Sequence, residues 1–257
     1  MSEPHLIYET RDQAAWLTIN RPDKRNAISP EAMTLFAQAL DRAEEDPLVR
    51  VVVVTGAGDK AFCAGADLGG GGLGGPGNDA LAGYAALITR LATFPKPTVA
   101  RVNGHCLAGG TGFMLGCDIV IARDTAQFGT PEVNVGLFPM MIGALIFRNV
   151  PRKKAMEMVL LGEKLTAAQA LEMGLVTRVC PLETFEAEVA GVVARLAEKS
   201  PIGLRIGKLA FAAAENMPLA EAVAFLSGKL AEVAATRDAV EGITAFIEKR
   251  KPNFTGQ

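Results

Sequence analysis

The chain has 257 residues, and 49% of them are hydrophobic, which is enough to bury a large core in one α/β domain with or without a smaller appendage. Its 26 Lys and Arg residues nearly balance its 28 Asp and Glu residues, so no global field attracts nucleic acid or anionic lipid. We therefore expect no nucleic-acid partner.

From the sequence we expect no targeting or membrane-spanning segment. Its first residues are acidic where a signal peptide needs basic residues. The longest uncharged apolar stretch, residues 135–147, contains glycine and proline and is shorter than the ~20 residues of a membrane helix. Two histidines and four cysteines without a C-x-x-C pair leave few ligands for zinc. We expect a cytoplasmic protein with reduced cysteines, no metal and no membrane association.

The first half of the chain alternates strand and helix signals. Residues 14–20 and 50–55 are apolar and β-branched, which predicts two strands, and residues 97–103 form a weaker third candidate. Between the first two, Ser29 suits a helix N-cap, a proline suits the next position, and Asp46 with the following proline suits the helix end. This order predicts a strand–helix–strand crossover.

The second half is predominantly helical. Thr166 and Gln169 fit a capping box, and Gly174 fits a helix stop. Proline and aspartate residues divide the rest into helix-length segments, namely 182–199, 201–216, 218–236 and 238–249. Such a tail is too small for a large core of its own, so we expect it to pack on the α/β half or on neighbouring subunits.

Two common enzyme classes fit poorly. A serine hydrolase is disfavoured because the chain has no G-x-S-x-G motif and only two histidines. Residues 56–61 match the dinucleotide fingerprint G-x-G-x-x-A, but a glycine-rich stretch follows where a helix should begin. A nicotinamide-dependent dehydrogenase therefore remains only as a weak alternative.

Two glycine-rich turns, residues 61–68 and 103–112, follow candidate strands. Small residues let a ligand approach the main chain closely, and a helix predicted over 109–117 would present unpaired N–H groups that suit a developing oxyanion. Tight packing between strand and helix would explain either turn alone. The glycine run at 69–77 is interpreted both as a flexible loop and as a mobile wall beside a ligand site.

A third segment, residues 127–132, completes a pattern with these two turns. In order and spacing, the three segments resemble the signature segments of the enoyl-CoA hydratase/isomerase (crotonase) superfamily. The resemblance also includes residues 21–27, the Cys117-Asp118 pair and residues 248–254, and so covers nearly the whole chain.

The resemblance implies an α/β fold, a crotonase-like spiral of ββα units followed by a helical C-terminal region. The expected division is residues 1–195 for the spiral core and residues 196–257 for an all-helical trimerisation region. It also implies a homo-oligomer, either a trimer or a dimer of trimers.

By position, the resemblance implies that the N–H groups of Ala66 and Gly109 hold the carbonyl oxygen of an acyl-CoA or enoyl-CoA thioester. Coenzyme A would enter as part of the substrate, with no separate cofactor. The residues implied along the CoA moiety are Arg25, Ala27, Ala64, Asp67 and Leu68. Those implied near the acyl group are Leu107, Pro131 and Met140.

One departure from the family pattern concerns the catalytic acids. Hydratases of the family use two glutamates to hold and activate water, and here only Glu132 is present, because the other position is Gly112. Met140 and Met141 stand where hydratases carry small residues, so we expect a narrower, more apolar pocket. A lone carboxylate in such a pocket has a raised pKa, which suits moving a proton between two carbons.

The leading hypothesis is an isomerase-like enzyme in which Glu132 transfers the proton. A hydratase or dehydratase acting through Glu132 alone and a non-catalytic acyl-CoA-binding protein remain as alternatives. We also expect a Gly112→Glu variant to retain CoA binding.

Overall fold

The computed structural model describes residues 3–67 and 79–257. Leu68 and the glycine run at 69–77 lie outside the described residues. The strands are β1 (Leu6–Arg11), β2 (Ala14–Ile19), β3 (Val51–Gly56), β4 (Ala61–Cys63), β5 (Thr98–Val102), β6 (His105–Leu107), β7 (Ile119–Arg123), β8 (Gln127–Gly129), β9 (Leu165–Thr166) and β10 (Arg178–Cys180). The helices are α1 (Pro30–Glu45), α2 (Asp79–Ala92), α3 (Gly110–Leu115), α4 (Met140–Asn149), α5 (Arg152–Leu161), α6 (Ala167–Glu172), α7 (Leu182–Ala197), α8 (Pro201–Ala214), α9 (Leu219–Ala234) and α10 (Arg237–Ile247).

The larger sheet has six strands in the order β1-β2-β3-β5-β7-β10. Strands β1 and β2 form an antiparallel hairpin whose two turn residues, Asp12 and Gln13, have positive φ values of 51° and 60°. Such left-handed pairs match the twist of the flanking strands. The remaining neighbours are parallel, and β2, β3 and β5 confirm the three predicted strands.

Both faces of this sheet are covered, which explains why β3 is a run of four valines. Val52 and Val54 belong to the larger hydrophobic core beneath α1 and α2. Val51 and Val53 face a second cluster, which α7 closes with side chains such as Phe185. Successive β3 side chains point to opposite faces of the sheet, so the strand contributes to two hydrophobic cores and neither face is exposed to solvent.

Helix α1 connects β2 to β3 as the sequence predicts. Its N-cap Ser29 accepts a hydrogen bond from the Ala32 N–H at 3.1 Å, and the helix ends before Asp46. The capping box of α6 is confirmed too, since the Thr166 and Gln169 side chains each accept a hydrogen bond from the other residue's backbone N–H. Gly174 follows that helix with φ +83°, a conformation that glycine adopts without strain.

The smaller sheet has the order β4-β6-β8-β9, and its first three strands are parallel. It was not predicted from the sequence. Strand β4 begins at Ala61, directly after the glycine motif that ends β3, so no helix opens there. The dinucleotide-binding interpretation of residues 56–61 is therefore wrong.

The chain ends in four long helices, α7 to α10, which match the four predicted segments to within about two residues at each end. The expected division between residues 195 and 196 falls in the last turn of α7. Beyond residue 140, the short strands β9 and β10 were not predicted from the sequence. All four cysteines are buried and none forms a disulfide, as expected.

No helix within the described part of the chain is long and apolar enough to cross a bilayer.

Candidate functional site

Three turns meet at one edge of the smaller sheet, because β4, β6 and β8 run parallel and each leads into a turn at its carboxyl end. Residues 64–67 follow β4, residues 108–109 follow β6, and residues 130–132 follow β8. The three glycine-containing segments singled out in the sequence are therefore brought together by strand pairing.

The turn after β4 is held by backbone hydrogen bonds to the segment that precedes α1. The Ile28 N–H donates to the Gly65 carbonyl at 2.8 Å, and the Asp67 N–H donates to the Ile28 carbonyl at 3.0 Å. The Ala64 N–H donates to the Arg25 carbonyl at 3.1 Å. Within residues 3–67 and 79–257, the N–H of Ala66 has no acceptor, so it is free to donate to a ligand.

The turn after β6 leaves a second donor free. Ala108 has a left-handed φ of +51°, and its N–H donates to the Gly129 carbonyl at 2.9 Å. The next N–H, that of Gly109, has no acceptor among the described residues. Helix α3 then spans only six residues, Gly110–Leu115, rather than the predicted 109–117. Because so short a helix has a small dipole, the Gly109 N–H group itself is the more important donor to a ligand.

The two free donors belong to turns that touch. A β-carbon added to Gly65 would lie 2.9 Å from the Gly109 nitrogen, and one added to Gly110 would lie under 3.0 Å from the Cys63 carbonyl oxygen. Both positions therefore require glycine for close approach of the backbones. This packing places the Ala66 and Gly109 N–H groups on adjacent segments.

Glu132 lies in a short 3-10 helix, Pro131–Val135, which follows β8. The side chain is partly buried, and its Oε2 atom is enclosed with no hydrogen-bond partner among the described residues. Burial raises the pKa of this carboxyl, while a hydrogen bond from its own backbone N–H partly offsets the rise. A buried acceptor without a partner is costly, and it is suited to take a proton from a ligand.

The residues expected along CoA lie around the bridge between Ile28 and Ala66. Arg25 is exposed and has a left-handed φ of +52°, whereas Ala27 and Ala64 are partly buried. Asp67 is engaged in an ion pair with Arg21, with a distance of 2.7 Å between Nη2 and Oδ2. Leu68 lies outside the described residues.

The three residues expected near the acyl group differ in exposure. Leu107 ends β6 and Pro131 follows β8, and both are partly buried at the edge where the turns meet. Met140, the first residue of α4, is 74% exposed. In the single chain Met140 is therefore not enclosed, and the expected narrowing of the pocket by this side chain is not seen; Met141 is partly buried.

Tyr84 on α2 was not predicted as a site residue from the sequence. Its hydroxyl donates a hydrogen bond to the Gly109 carbonyl, and it lies beside Gly112. No local motif marks this tyrosine, because its importance comes from the packing of α2 against α3. Arg21 was missed as well, although it begins the segment 21–27 that carried part of the family resemblance.

Other chemistries have little support at this edge. Burial raises the pKa of the Cys63 thiol to about 12, so it stays protonated and is a poor nucleophile. Among residues 3–67 and 79–257, no group of three or more His, Cys, Asp or Glu side chains could hold a metal ion. Among the described residues, this site offers two free backbone donors and one carboxylate whose Oε2 atom has no hydrogen-bond partner.

The chain is similar to known proteins of one family. The sequence model of the family described as enoyl-CoA hydratase/isomerase matches residues 9–257. A putative enoyl-CoA hydratase from Thermus thermophilus is 37% identical over 97% of this chain and 100% of its own length.

Solved structures show the same fold. An enoyl-CoA hydratase from Bacillus anthracis superposes with a TM-score of 0.93 at 29% identity, covering 98% of this chain and 100% of that one. An enoyl-CoA hydratase from Mycobacterium smegmatis gives a TM-score of 0.93 at 32% identity, covering 98% and 99%. The crotonase-like α/β fold expected from the sequence is confirmed. The chain therefore belongs to the enoyl-CoA hydratase/isomerase family of enzymes that act on CoA thioesters.

Proposed function

We propose that this enzyme shifts the double bond of an enoyl-CoA by moving one proton through Glu132. The observation that carries the proposal is the enclosed, unpaired Oε2 of Glu132 at the edge where two backbone N–H groups have no acceptor. Asp67, the other carboxylate on these three turns, is paired with Arg21. One carboxylate is thus available for proton transfer.

The mechanism begins with a 3-enoyl-CoA whose thioester oxygen accepts hydrogen bonds from the Ala66 and Gly109 N–H groups. The Glu132 carboxylate removes a proton from Cα, and the electron pair delocalises into a dienolate whose oxygen the two donors stabilise. The protonated Glu132 then returns the proton to Cγ, and the double bond comes to lie between Cα and Cβ. The carboxylate is regenerated, so atoms and charges balance.

Burial of Glu132 supports this role. A carboxyl whose pKa is raised toward the working pH can both accept and return a proton, which is what a single acid–base group must do. The raised pKa also makes the carboxylate a stronger base than an exposed glutamate would be.

For substrate contacts, we propose that Arg25, Ala27, Ala64, Asp67 and Leu68 lie along the CoA moiety and that Leu107, Pro131 and Met140 lie near the acyl chain. The support is that Arg25, Ala27, Ala64 and Asp67 lie around the bridge between Ile28 and Ala66. Leu107 and Pro131 lie at the edge where the turns meet, and Leu68 lies outside the described residues. Asp67 would contribute chiefly by fixing its turn through Arg21.

Hydration through Glu132 alone is the second candidate, because the relative from Thermus thermophilus is named a putative enoyl-CoA hydratase. It requires water beside Glu132 without a second carboxylate at position 112. The two candidates differ in substrate and in product.

One assay separates them. A cis-3-enoyl-CoA and crotonyl-CoA are offered separately in D2O, and the conjugated enoyl chromophore and deuterium incorporation are followed. We expect the first substrate to gain the chromophore and crotonyl-CoA to exchange deuterium with little hydration. Hydration of crotonyl-CoA at an ordinary enzymatic rate would favour the second candidate, and binding without turnover or exchange would overturn both.

The role of Glu132 is tested by Glu132→Gln, which keeps the shape and removes the base. Turnover should fall at least about 1,000-fold while acyl-CoA binding persists, since the two N–H donors remain. Full activity in this variant would show that another group transfers the proton.

We also propose that the protein is a homo-oligomer, a trimer or a dimer of trimers, assembled through α8 to α10. These helices expose large apolar side chains that a monomer would leave in water. The most exposed are Phe211, Leu219, Leu230, Phe246 and Ile247.

A further inference from the structure

The space beside Gly112 is already filled. A β-carbon on residue 112 would lie under 3.0 Å from the Tyr84 hydroxyl oxygen and 2.8 Å from Cγ2 of Ile142. Real β-carbons essentially never approach other atoms so closely. The place from which the second glutamate of a hydratase would project is therefore occupied by a phenol from another helix.

The phenol is held in one orientation. Its ring packs edge-on against Phe113, with ring centroids 5.5 Å apart and an interplanar angle of 82°. Its hydroxyl donates to the carbonyl of Gly109, which also accepts the Gly112 N–H at 3.1 Å. Burial raises the pKa of Tyr84 well above its ordinary value, with smaller contributions from two neighbouring thiols and from Glu132, so the phenol keeps its proton to donate.

The residue that receives this hydrogen bond needs support. Glycine has little intrinsic preference for one backbone conformation, and the preceding Ala108 is held at a left-handed φ that alanine seldom adopts. The Gly109 carbonyl is fixed by Tyr84 on one side and by the first turn of α3 on the other. Loss of the phenol bond would leave the Gly109 N–H freer to turn away from its ligand.

We propose that Tyr84 is a positioning residue that holds Gly109 in the conformation in which its N–H binds the thioester oxygen. The inference rests on the proposed oxyanion role of Gly109. It adds a reason for the glycine at position 112, since a side chain there and the Tyr84 hydroxyl exclude one another.

The test uses Tyr84→Phe, which keeps the ring contact with Phe113 and removes only the hydroxyl. Butyryl-CoA carrying a 13C-labelled thioester carbonyl is bound to each protein, and the carbonyl stretch is recorded by infrared difference spectroscopy. Hydrogen bonds to the carbonyl lower this frequency. We expect Tyr84→Phe to lose at least half of the lowering seen with the wild type.

Kinetics with the cis-3-enoyl-CoA provide a second readout. The expected result is a fall in kcat of about tenfold with KM changed by less than about threefold, because positioning acts on the transition state more than on ground-state binding. A merely structural hydroxyl would lower the unfolding temperature without changing the carbonyl frequency.

Tyr8 provides the matched control, because it is the other of the two tyrosines in the chain. Its hydroxyl is buried without a hydrogen-bond partner among the described residues, on β1 of the other sheet. Tyr8→Phe should change neither the carbonyl frequency nor kcat. An equal effect of the two variants would overturn the inference.

If Tyr84→Phe does not fold, 3-fluorotyrosine incorporated into the Tyr8→Phe protein labels Tyr84 alone. Its 19F resonance should shift on addition of butyryl-CoA, and an unchanged resonance would overturn the inference.

The two proposals fail in different ways. An unchanged carbonyl frequency in Tyr84→Phe, with a wild type that isomerises its substrate, overturns the role of Tyr84 and leaves the proposed function standing. A wild type that lowers the carbonyl frequency but only hydrates overturns the isomerase proposal, and the Tyr84 comparison remains decisive. A wild type that neither lowers the carbonyl frequency nor isomerises its substrate overturns both proposals.

Discussion

Arg21 and Asp67 form an ion pair that ties the segment before α1 to the turn carrying Ala66, with 2.7 Å between Nη2 and Oδ2. The two side chains are only 13% and 19% exposed, and Arg21 also donates to the Ala27 carbonyl at 2.7 Å. One guanidinium thus holds both sides of the bridge between Ile28 and Ala66.

Replacing Arg21 by Met should therefore destabilise the turn as well as the fold. We expect a loss of roughly 1–3 kcal/mol in unfolding free energy, because a partly buried charged hydrogen-bond network is broken. Butyryl-CoA binding should weaken in parallel. Denaturant titration and calorimetric binding measure the two effects.

The control for this variant is Lys154→Met, which breaks an exposed pair with Glu157, where the side chains are 59% and 58% exposed. It should cost about 0.5 kcal/mol or less and leave binding unchanged. Equal losses of unfolding free energy in the two variants would show that burial does not make the Arg21–Asp67 pair more stabilising than an exposed pair.

Gly112→Ala should destabilise the protein by about 1–3 kcal/mol, since the new methyl group overpacks against Tyr84 and Ile142. The same crowding argues against the expectation that Gly112→Glu retains CoA binding. Part of the loss should be recovered in the double variant with Tyr84→Phe, where the hydroxyl is gone. Chemical denaturation gives the coupling between the two sites.

A glycine with open space serves as the comparison. Gly191 lies in α7, and an added β-carbon there would meet nothing within 4 Å. Gly191→Ala should stabilise the protein by about 0.5–1 kcal/mol, the ordinary helix preference for alanine. Similar changes in stability for Gly112→Ala and Gly191→Ala would contradict the explanation by steric crowding at position 112.

Glu132→Gln should be more stable than the wild type at neutral pH. Burial raises the pKa of Glu132 above the ordinary value of a glutamate, so the folded state binds this proton more tightly than the unfolded state does. The protonated Glu132 carboxyl therefore makes its whole contribution to the free energy of unfolding at pH values below the unfolded-state pKa. That contribution is lost as the pH rises through the higher folded-state pKa. Glutamine does not ionise and avoids that loss.

We expect this gain to appear at pH 7 as a higher unfolding midpoint for Glu132→Gln than for the wild type. The gain should vanish below about pH 4, where the wild-type carboxyl is protonated in both states. Calorimetric scans across this range measure it, and a difference independent of pH would point to a cause other than ionisation.

Phe246→Asp should shift the protein from a trimer or hexamer toward the monomer, because this side chain is 84% exposed on the surface proposed for assembly. Sedimentation velocity gives the distribution of species. Leu48→Asp is the control, since Leu48 is 76% exposed but lies between α1 and β3. A monomeric wild type, or equal dissociation by both variants, would contradict the proposed interface.

Local signals predicted most of the regular structure. The helix caps at Ser29 and Thr166 depend on side chains within three residues of the groups they cap, so the sequence shows them directly. The valine run of β3 is similarly explicit, because continuous β-branched residues favour a buried strand. The four C-terminal helices were divided correctly by their prolines and by Asp238.

The smaller sheet lacked such signals. Its strands β4, β6 and β8 have three residues each, too few to show a period, and they exist because parallel neighbours complete their hydrogen bonds. Tyr84 was missed for a related reason, since it reaches Gly109 from 25 residues away through the packing of two helices.

By itself, the sequence determined where the turns lie, which residues are small enough for close backbone contact, and which family pattern they follow. Only the tertiary structure decided that the Ala66 and Gly109 N–H groups lack acceptors among the described residues, that one Glu132 oxygen is enclosed without a partner, and that a phenol fills the space at Gly112. The physical reason is that hydrogen-bond occupancy and burial depend on groups that the chain supplies from distant positions.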